Sequence, residues 1–149
     1  MSTILITGAT GFVGHGLCSR LLAEGRDVRC AVRHPSSTAN SLVVGDIGPD
    51  TSWEQALNGV DTVVHLAARV HIMEDTAGDP LAEFRRVNVD GTLKLARQAA
   101  QAGARRFIFL SSIGVNGNQT TTPFTEQDIS APHDLYAISK FEAEQGLQQ

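Results

Sequence analysis

The chain has 149 residues, 42% hydrophobic and 19% charged, with a net charge of −4, a balance that fits one soluble domain with its own core. No Lys/Arg cluster is present to neutralise phosphates, so no nucleic-acid partner is expected, and the pairs Arg85-Arg86 and Arg105-Arg106 read as solvated element ends. No apolar stretch approaches the ~18 residues of a membrane span.

The amino terminus enters the short run Ile4-Leu5-Ile6 without a basic start, so no signal peptide and a cytoplasmic location are expected. Cys18 and Cys30 have no metal-ligand spacing around them and read as reduced, buried thiols, with no metal site.

Short apolar runs alternate with amphipathic stretches along the chain. Ile4 to Thr7 reads as a buried strand, followed by a helix from Phe12 to Ala23 that Gly25 stops. Val28 to Val32 is a second strand and Leu42 to Val44 a short third. Thr51-Ser52-Trp53-Glu54 has capping-box form and opens a short helix that Gly59 closes. Thr62 to Ala67 is the fourth strand.

Asp79-Pro80 places an N-cap before a proline at the first helical position, and the helix should run to about Ala102, with Gly103 as its stop. Phe107 to Ser111 is the fifth strand. A long polar loop, Gly114 to His133, precedes a helix from Asp134 to the end. The alternation predicts an α/β fold, a Rossmann-like doubly wound parallel sheet over residues 1–149 as a single domain.

Thr7-Gly8-Ala9-Thr10-Gly11-Phe12-Val13-Gly14 follows the first strand and opens the first helix, the context that gives a glycine motif meaning. Gly8 permits a tight turn, Gly11 lets backbone approach a pyrophosphate, and Gly14 lets helix pack on strand. The helix N-terminus offers free N–H groups to the phosphates. An NAD or NADP site is therefore expected.

Arg33 at the end of the second strand could meet a 2′-phosphate and tilts the choice toward NADP; a merely solvated arginine is the bland alternative. Asp46, beside Ile47, could accept from an adenine amino group or simply form a turn. Leu66, Ala67 and Ala68 are small or apolar residues that let backbone pass close to a ribose. His65 is read as a satisfied core histidine.

Tyr136-Ala-Ile-Ser-Lys140 puts a phenol and an ammonium on one helical face. A nearby ammonium favours the phenolate and lowers the tyrosine pKa, which suits it to exchange a proton with a substrate hydroxyl. Ser111-Ser112 ends the fifth strand at the edge where such folds bind ligands.

Gly8-x-x-Gly11-x-x-Gly14, His65-Leu-Ala-Ala68, Asn88-Val-Asp-Gly91-Thr92, Phe109-Leu-Ser-Ser112 and Tyr136-x-x-x-Lys140, in that order, resemble the extended short-chain dehydrogenase/reductases. Within these the chain is most similar to the NAD-dependent epimerase/dehydratase family, which acts on nucleotide-diphosphate sugars. The resemblance implies that Tyr136 exchanges the proton of a sugar C4 hydroxyl and that Ser112 bonds the same oxygen. Lys140 would bind the nicotinamide ribose and tune the tyrosine. It implies for Asn88 an active-site or helix-bending role, and a homodimer built through the helices at 79–102 and 134–149.

Ile113-Gly114 stand where 4,6-dehydratases of the family carry an Asp-Glu pair, which argues against that activity. Val115-Asn116-Gly117 and Arg69-Val70-His71 resemble a bacterial subgroup that interconverts UDP-N-acetylquinovosamine and its 4-keto form. Epimerase and 4-keto reductase both stay open, with a non-catalytic NAD(P)-binding sensor or scaffold as the rival class. Family members are roughly twice this length. The substrate domain is therefore expected to be absent here, and these residues alone to be inactive.

Overall fold

Thr3–Thr7 is buried along its whole length and forms β1, the middle strand of the sheet. A strand covered on both faces calls for apolar or β-branched side chains in both directions, which TILIT supplies. The computed structural model describes residues 2–70 and 78–149. After β1 come α1 (Phe12–Ala23), β2 (Val28–Val32), β3 (Ser41–Val43), α2 (Glu54–Leu57) and β4 (Val60–His65). Then follow α3 (Pro80–Arg85), α4 (Thr92–Gln101), β5 (Arg106–Phe109) and α5 (Leu135–Leu147). The fold is Rossmann-like.

All strand pairs are parallel, in the order β3-β2-β1-β4-β5. The chain winds outward from β1 through β2 and β3, then restarts on the other side with β4. This reversal opens a crevice above the carboxyl ends of β1 and β4, where such sheets bind ligands. One face of the sheet buries Leu5 and Val63 against Trp53, Leu57 and Leu95. The other buries Ile4, Ile6, Val28 and Val64 against Cys18, Leu17 and Leu21 of α1. Cys18 and Cys30 are free thiols with sulfurs 3.4 Å apart, and burial pushes the Cys30 thiol up to about 12.

Several expectations need correction. Thr51 does not cap α2: its hydroxyl accepts from Gly48 N–H and donates to the Asp46 carbonyl. The N-cap is Trp53, without a side-chain cap bond, and its N–H is met by Gln98 Oε1 of α4 at 2.9 Å. A partner distant in sequence has taken over the local box. The fourth and fifth strands end earlier than predicted, at His65 and Phe109. Leu66 and Ala67 leave the ladder because their N–H groups turn to Thr7 Oγ1, at 3.2 and 3.1 Å.

The helix predicted over 79–102 is helical throughout, but residues Arg86–Gly91 form a π turn between α3 and α4. Such turns are rare and tend to mark functional positions. Asp79 caps α3 as expected, accepting from Ala82 N–H with Pro80 behind it. The arginine pairs stand exposed at element ends as read, and three of these arginines also form ion pairs: Arg85 binds both oxygens of Glu142, Arg86 meets Glu83, and Arg105 meets Asp61.

The loop after β5 opens with a short 3-10 turn, Ile113–Val115, and folds back on itself through Ala131 N–H to the Val115 carbonyl. Among the described residues no helix is long and apolar enough to cross a membrane.

Candidate active site

The turn between β1 and α1 is built by glycines for steric reasons. Gly8 has φ +69°, and a Cβ there would lie 2.7 Å from Ala67 N. A Cβ on Gly14 would lie 2.0 Å from the Gly8 carbonyl oxygen. Both positions exclude a side chain so that α1, β1 and the end of β4 can converge. Gly11 is the N-cap, in extended conformation with no side-chain bond to the helix. The first-turn N–H groups of α1 thus have no side-chain cap, which is the requirement for receiving an anion. Thr10, Phe12 and Val13 stand exposed around them, Phe12 almost completely.

Arg33 and Asp46, expected at the ribose and the adenine respectively, pair with each other: Arg33 Nε lies 3.1 Å from Asp46 Oδ1, both well exposed. Ile47 is the neighbour that fixes Gly91, where a Cβ would lie 2.7 Å from Ile47 Cγ2.

The run Asn88 to Thr92 joins three segments around the π turn. Asn88 is buried; its Oδ1 accepts from Arg69 N–H at 2.7 Å, while Nδ2 donates to the Arg69 carbonyl and to Ser139 Oγ, each at 2.9 Å. Gly91 admits the loop after β3, and Thr92 Oγ1 lies 2.9 Å from His65 Nε2. His71, singled out beside Arg69 and Val70, lies outside the described residues.

Thr7, His65 and Phe109, the last residues of β1, β4 and β5, share one face and form a layer. Thr7 Oγ1 accepts from two backbone N–H groups, so its own proton is left for His65 Nδ1, 2.7 Å away. This network assigns the neutral Nε2–H tautomer, whose N–H points at Thr92. Burial pulls His65 down to about 3, with the Lys140 charge adding to the effect. The expectation of a satisfied core histidine holds.

The His65 ring stacks on Phe109 at 6.0 Å. Lys140 completes the layer, 2% exposed, with Nζ 3.9 Å from the Phe109 ring centroid. Burial brings Lys140 down to about 8, partly offset by Glu144.

Ser112 caps the 3-10 turn, accepting from Gly114 N–H at 3.1 Å. A Cβ on Gly114 would meet Ala137 Cβ and Ser112 Oγ, each at 3.3 Å, so α5 sits directly against this turn. The structure thereby gathers the Ser112, Tyr136 and Lys140 segments at the carboxyl end of β5. Ser111 Oγ is buried and has no hydrogen-bond partner among the described residues.

One expectation is reversed here. The Tyr136 phenol is raised, not lowered, by burial and then by the Asp134 carboxylate. Thr7, Thr92, Phe109 and Ser139 entered the sequence reading only as members of motifs, with no role of their own; the register that puts Thr7 and Phe109 on one face with His65 depends on strand ends that the sequence set two residues too far along β4 and β5.

The sequence model of the "NAD dependent epimerase/dehydratase family" matches residues 4–149. The chain belongs to the NAD-dependent epimerase/dehydratase family. It is 47% identical to a UDP-glucose 4-epimerase of Vibrio cholerae, over 97% of this chain and 46% of that protein. It is 34% identical to a 3-beta-hydroxysteroid dehydrogenase of Mycolicibacterium neoaurum, over 97% of this chain and 42% of that one.

Among solved structures, an NAD-bound short-chain dehydrogenase/reductase superfamily protein from Agrobacterium tumefaciens superposes with TM-score 0.82 at 35% identity, over 98% of this chain and 44% of that one. MoeE5 in complex with UDP-glucose and NAD gives TM-score 0.84 at 31% identity, over 98% and 48%. The chain thus spans about half the length of the curated relatives it matches.

Ile113, at the start of the 3-10 turn, is 66% exposed. Residue 114 is sterically reserved, because α5 leaves little room for a side chain.

Proposed function

We propose that this chain is the cofactor-binding and proton-transferring part of an NAD-dependent enzyme that works at C4 of a nucleotide-diphosphate sugar. The reading covers a 4-epimerase or a 4-keto reductase, with residues 1–149 as one domain. The observation that carries it is the state of Lys140. Its ammonium is buried at the carboxyl end of β5, and among the described residues no carboxylate lies within ion-pair distance of it. A buried charge of this kind is costly unless a ligand is to meet it.

The residues fit a dinucleotide. The Gly8–Gly14 turn supplies uncapped N–H groups, and at Gly8 and Gly14 there is no room for a Cβ. Gly8, Thr10, Gly11, Phe12, Val13 and Gly14 would surround the pyrophosphate, and Leu66, Ala67 and Ala68 the ribose side. Ser111 and Asn88 flank the inner end, and Lys140 would donate to ribose hydroxyls. Because the Asp46 carboxylate beside Arg33 would meet a 2′-phosphate with like charge, NAD is favoured here over the NADP read from the sequence; Ile47 would then border the adenine.

When bound, the nicotinamide supplies the hydride acceptor or donor. Tyr136, protonated at neutral pH, gives its proton to a C4 carbonyl oxygen on reduction and takes one on oxidation when positive charge nearby favours the phenolate. Ser112 can donate its hydroxyl proton to the same oxygen while accepting from Gly114 N–H. A homodimer through α3–α4 and α5 belongs to this reading. So do an incomplete substrate site and weak activity in residues 1–149 alone.

The test is turnover by the full-length protein with UDP-glucose, UDP-N-acetylglucosamine and 4-keto sugars. Inversion at C4 without net oxidation of added NADH identifies an epimerase, and net oxidation identifies a reductase. If Tyr136→Phe leaves turnover unchanged, the catalytic reading fails and a cofactor-binding sensor or scaffold takes its place.

A further inference from the structure

We infer that Phe109 is a positioning residue for Lys140, its ring face holding the buried ammonium at the carboxyl end of β5 for the hydroxyls of a bound ribose. The inference rests on the reading of Lys140 as a cofactor ligand. Nζ lies 3.9 Å from the ring centroid, well inside the ~6 Å over which an aromatic quadrupole attracts a cation, and burial strengthens that attraction.

An aromatic face does what a carboxylate at the same place would not. A carboxylate would accept the ammonium's N–H groups, and an incoming ribose would have to break that ion pair. The ring attracts the charge and makes no conventional hydrogen bond, so the N–H donors turned away from it remain available to oxygen acceptors.

The ring is itself held in place. His65 stacks on it at 6.0 Å with an interplanar angle of 22°, and the imidazole is fixed by Thr7 on one side and Thr92 on the other. β1, β4 and α4 therefore all contribute to where the ammonium rests. His65 faces Lys140 from β4 and is neutral, so it adds no repulsion near neutral pH. Glu144, on α5 itself, favours the charged lysine. The π turn and α4 contribute uncharged groups to this layer, Asn88 through Ser139 and Thr92 through His65.

The test replaces Phe109 in the full-length protein with mono-, di- and trifluorophenylalanine, which weaken the ring quadrupole at nearly constant shape. NADH affinity is read by fluorescence from roughly pH 6 to pH 10. The expected result is a midpoint for affinity loss near the lysine's value of about 8. It should move stepwise to lower pH, by about half a unit to one unit at trifluoro. A midpoint that stays fixed across the series overturns the role of Phe109.

Lys140→Met in the same assay separates the two claims. Loss of the midpoint together with a fluorine-dependent shift supports both. A flat fluorine series with an intact lysine dependence sinks Phe109 alone. Wild-type affinity in Lys140→Met sinks the reading of Lys140, and this inference with it.

Discussion

Asn88 Nδ2 donates to Ser139 Oγ at 2.9 Å, and Ser139 Oγ donates to the Tyr136 carbonyl at 2.7 Å. Because Asn88 also takes both backbone groups of Arg69, the segment after β4 and the Tyr136–Lys140 helix are tied through one side chain. Ser139→Ala leaves an Asn88 N–H unpaired in a fully buried place. The expected cost is about 1–3 kcal/mol, read as a lower urea midpoint; an unchanged midpoint would show that the bond adds nothing.

Two glycines of α1 should respond oppositely to the same change. Gly14→Ala sets a methyl 2.0 Å from the Gly8 carbonyl oxygen, so the helix must move off the strand. Dinucleotide affinity should fall by at least about tenfold, since the phosphate-facing N–H groups move with it. Gly16 has nothing within 4 Å of its added Cβ, so Gly16→Ala should keep affinity and stabilise the protein by about 0.4–1 kcal/mol. Calorimetric titration and thermal melts on the pair check both.

His65 gives a pH prediction. Its folded value of about 3 lies below the ordinary 6.5, so the folded state excludes a proton that the unfolded chain accepts. The stability it contributes is complete above about pH 6.5 and is lost as pH falls toward 3. The full loss is on the order of 5 kcal/mol. His65→Gln should flatten the fall in urea stability over that window; an equally steep fall in the variant would assign the acid sensitivity elsewhere.

Arg33 decides a test of cofactor choice. Its ion pair with Asp46 is exposed and adds little to stability. Arg33→Ala should leave NAD affinity within about twofold and weaken NADP by roughly tenfold, the scale of one lost charge-assisted contact. Equal losses for both cofactors would place Arg33 away from the 2′ position.

The order of elements was legible in the sequence, because hydrophobic periodicity and glycine punctuation are local signals. Phe12–Ala23 and Val28–Val32 fell on their predicted residues. The glycine turn was legible for the same reason, since the spacing of Gly8, Gly11 and Gly14 encodes a steric need within one turn of chain.

What the sequence left undecided was how distant groups would share their partners. Gln98 replaced the local cap of α2, Thr7 drew Leu66 and Ala67 out of the ladder, and Asp46 took Arg33. The burial of Lys140 against Phe109, and the raising rather than lowering of Tyr136, came from the folded packing. The physical reason is that a side chain's charge state depends on the dielectric and dipoles around it, and these come from β1, β4, β5 and α4 only after the chain has closed over them.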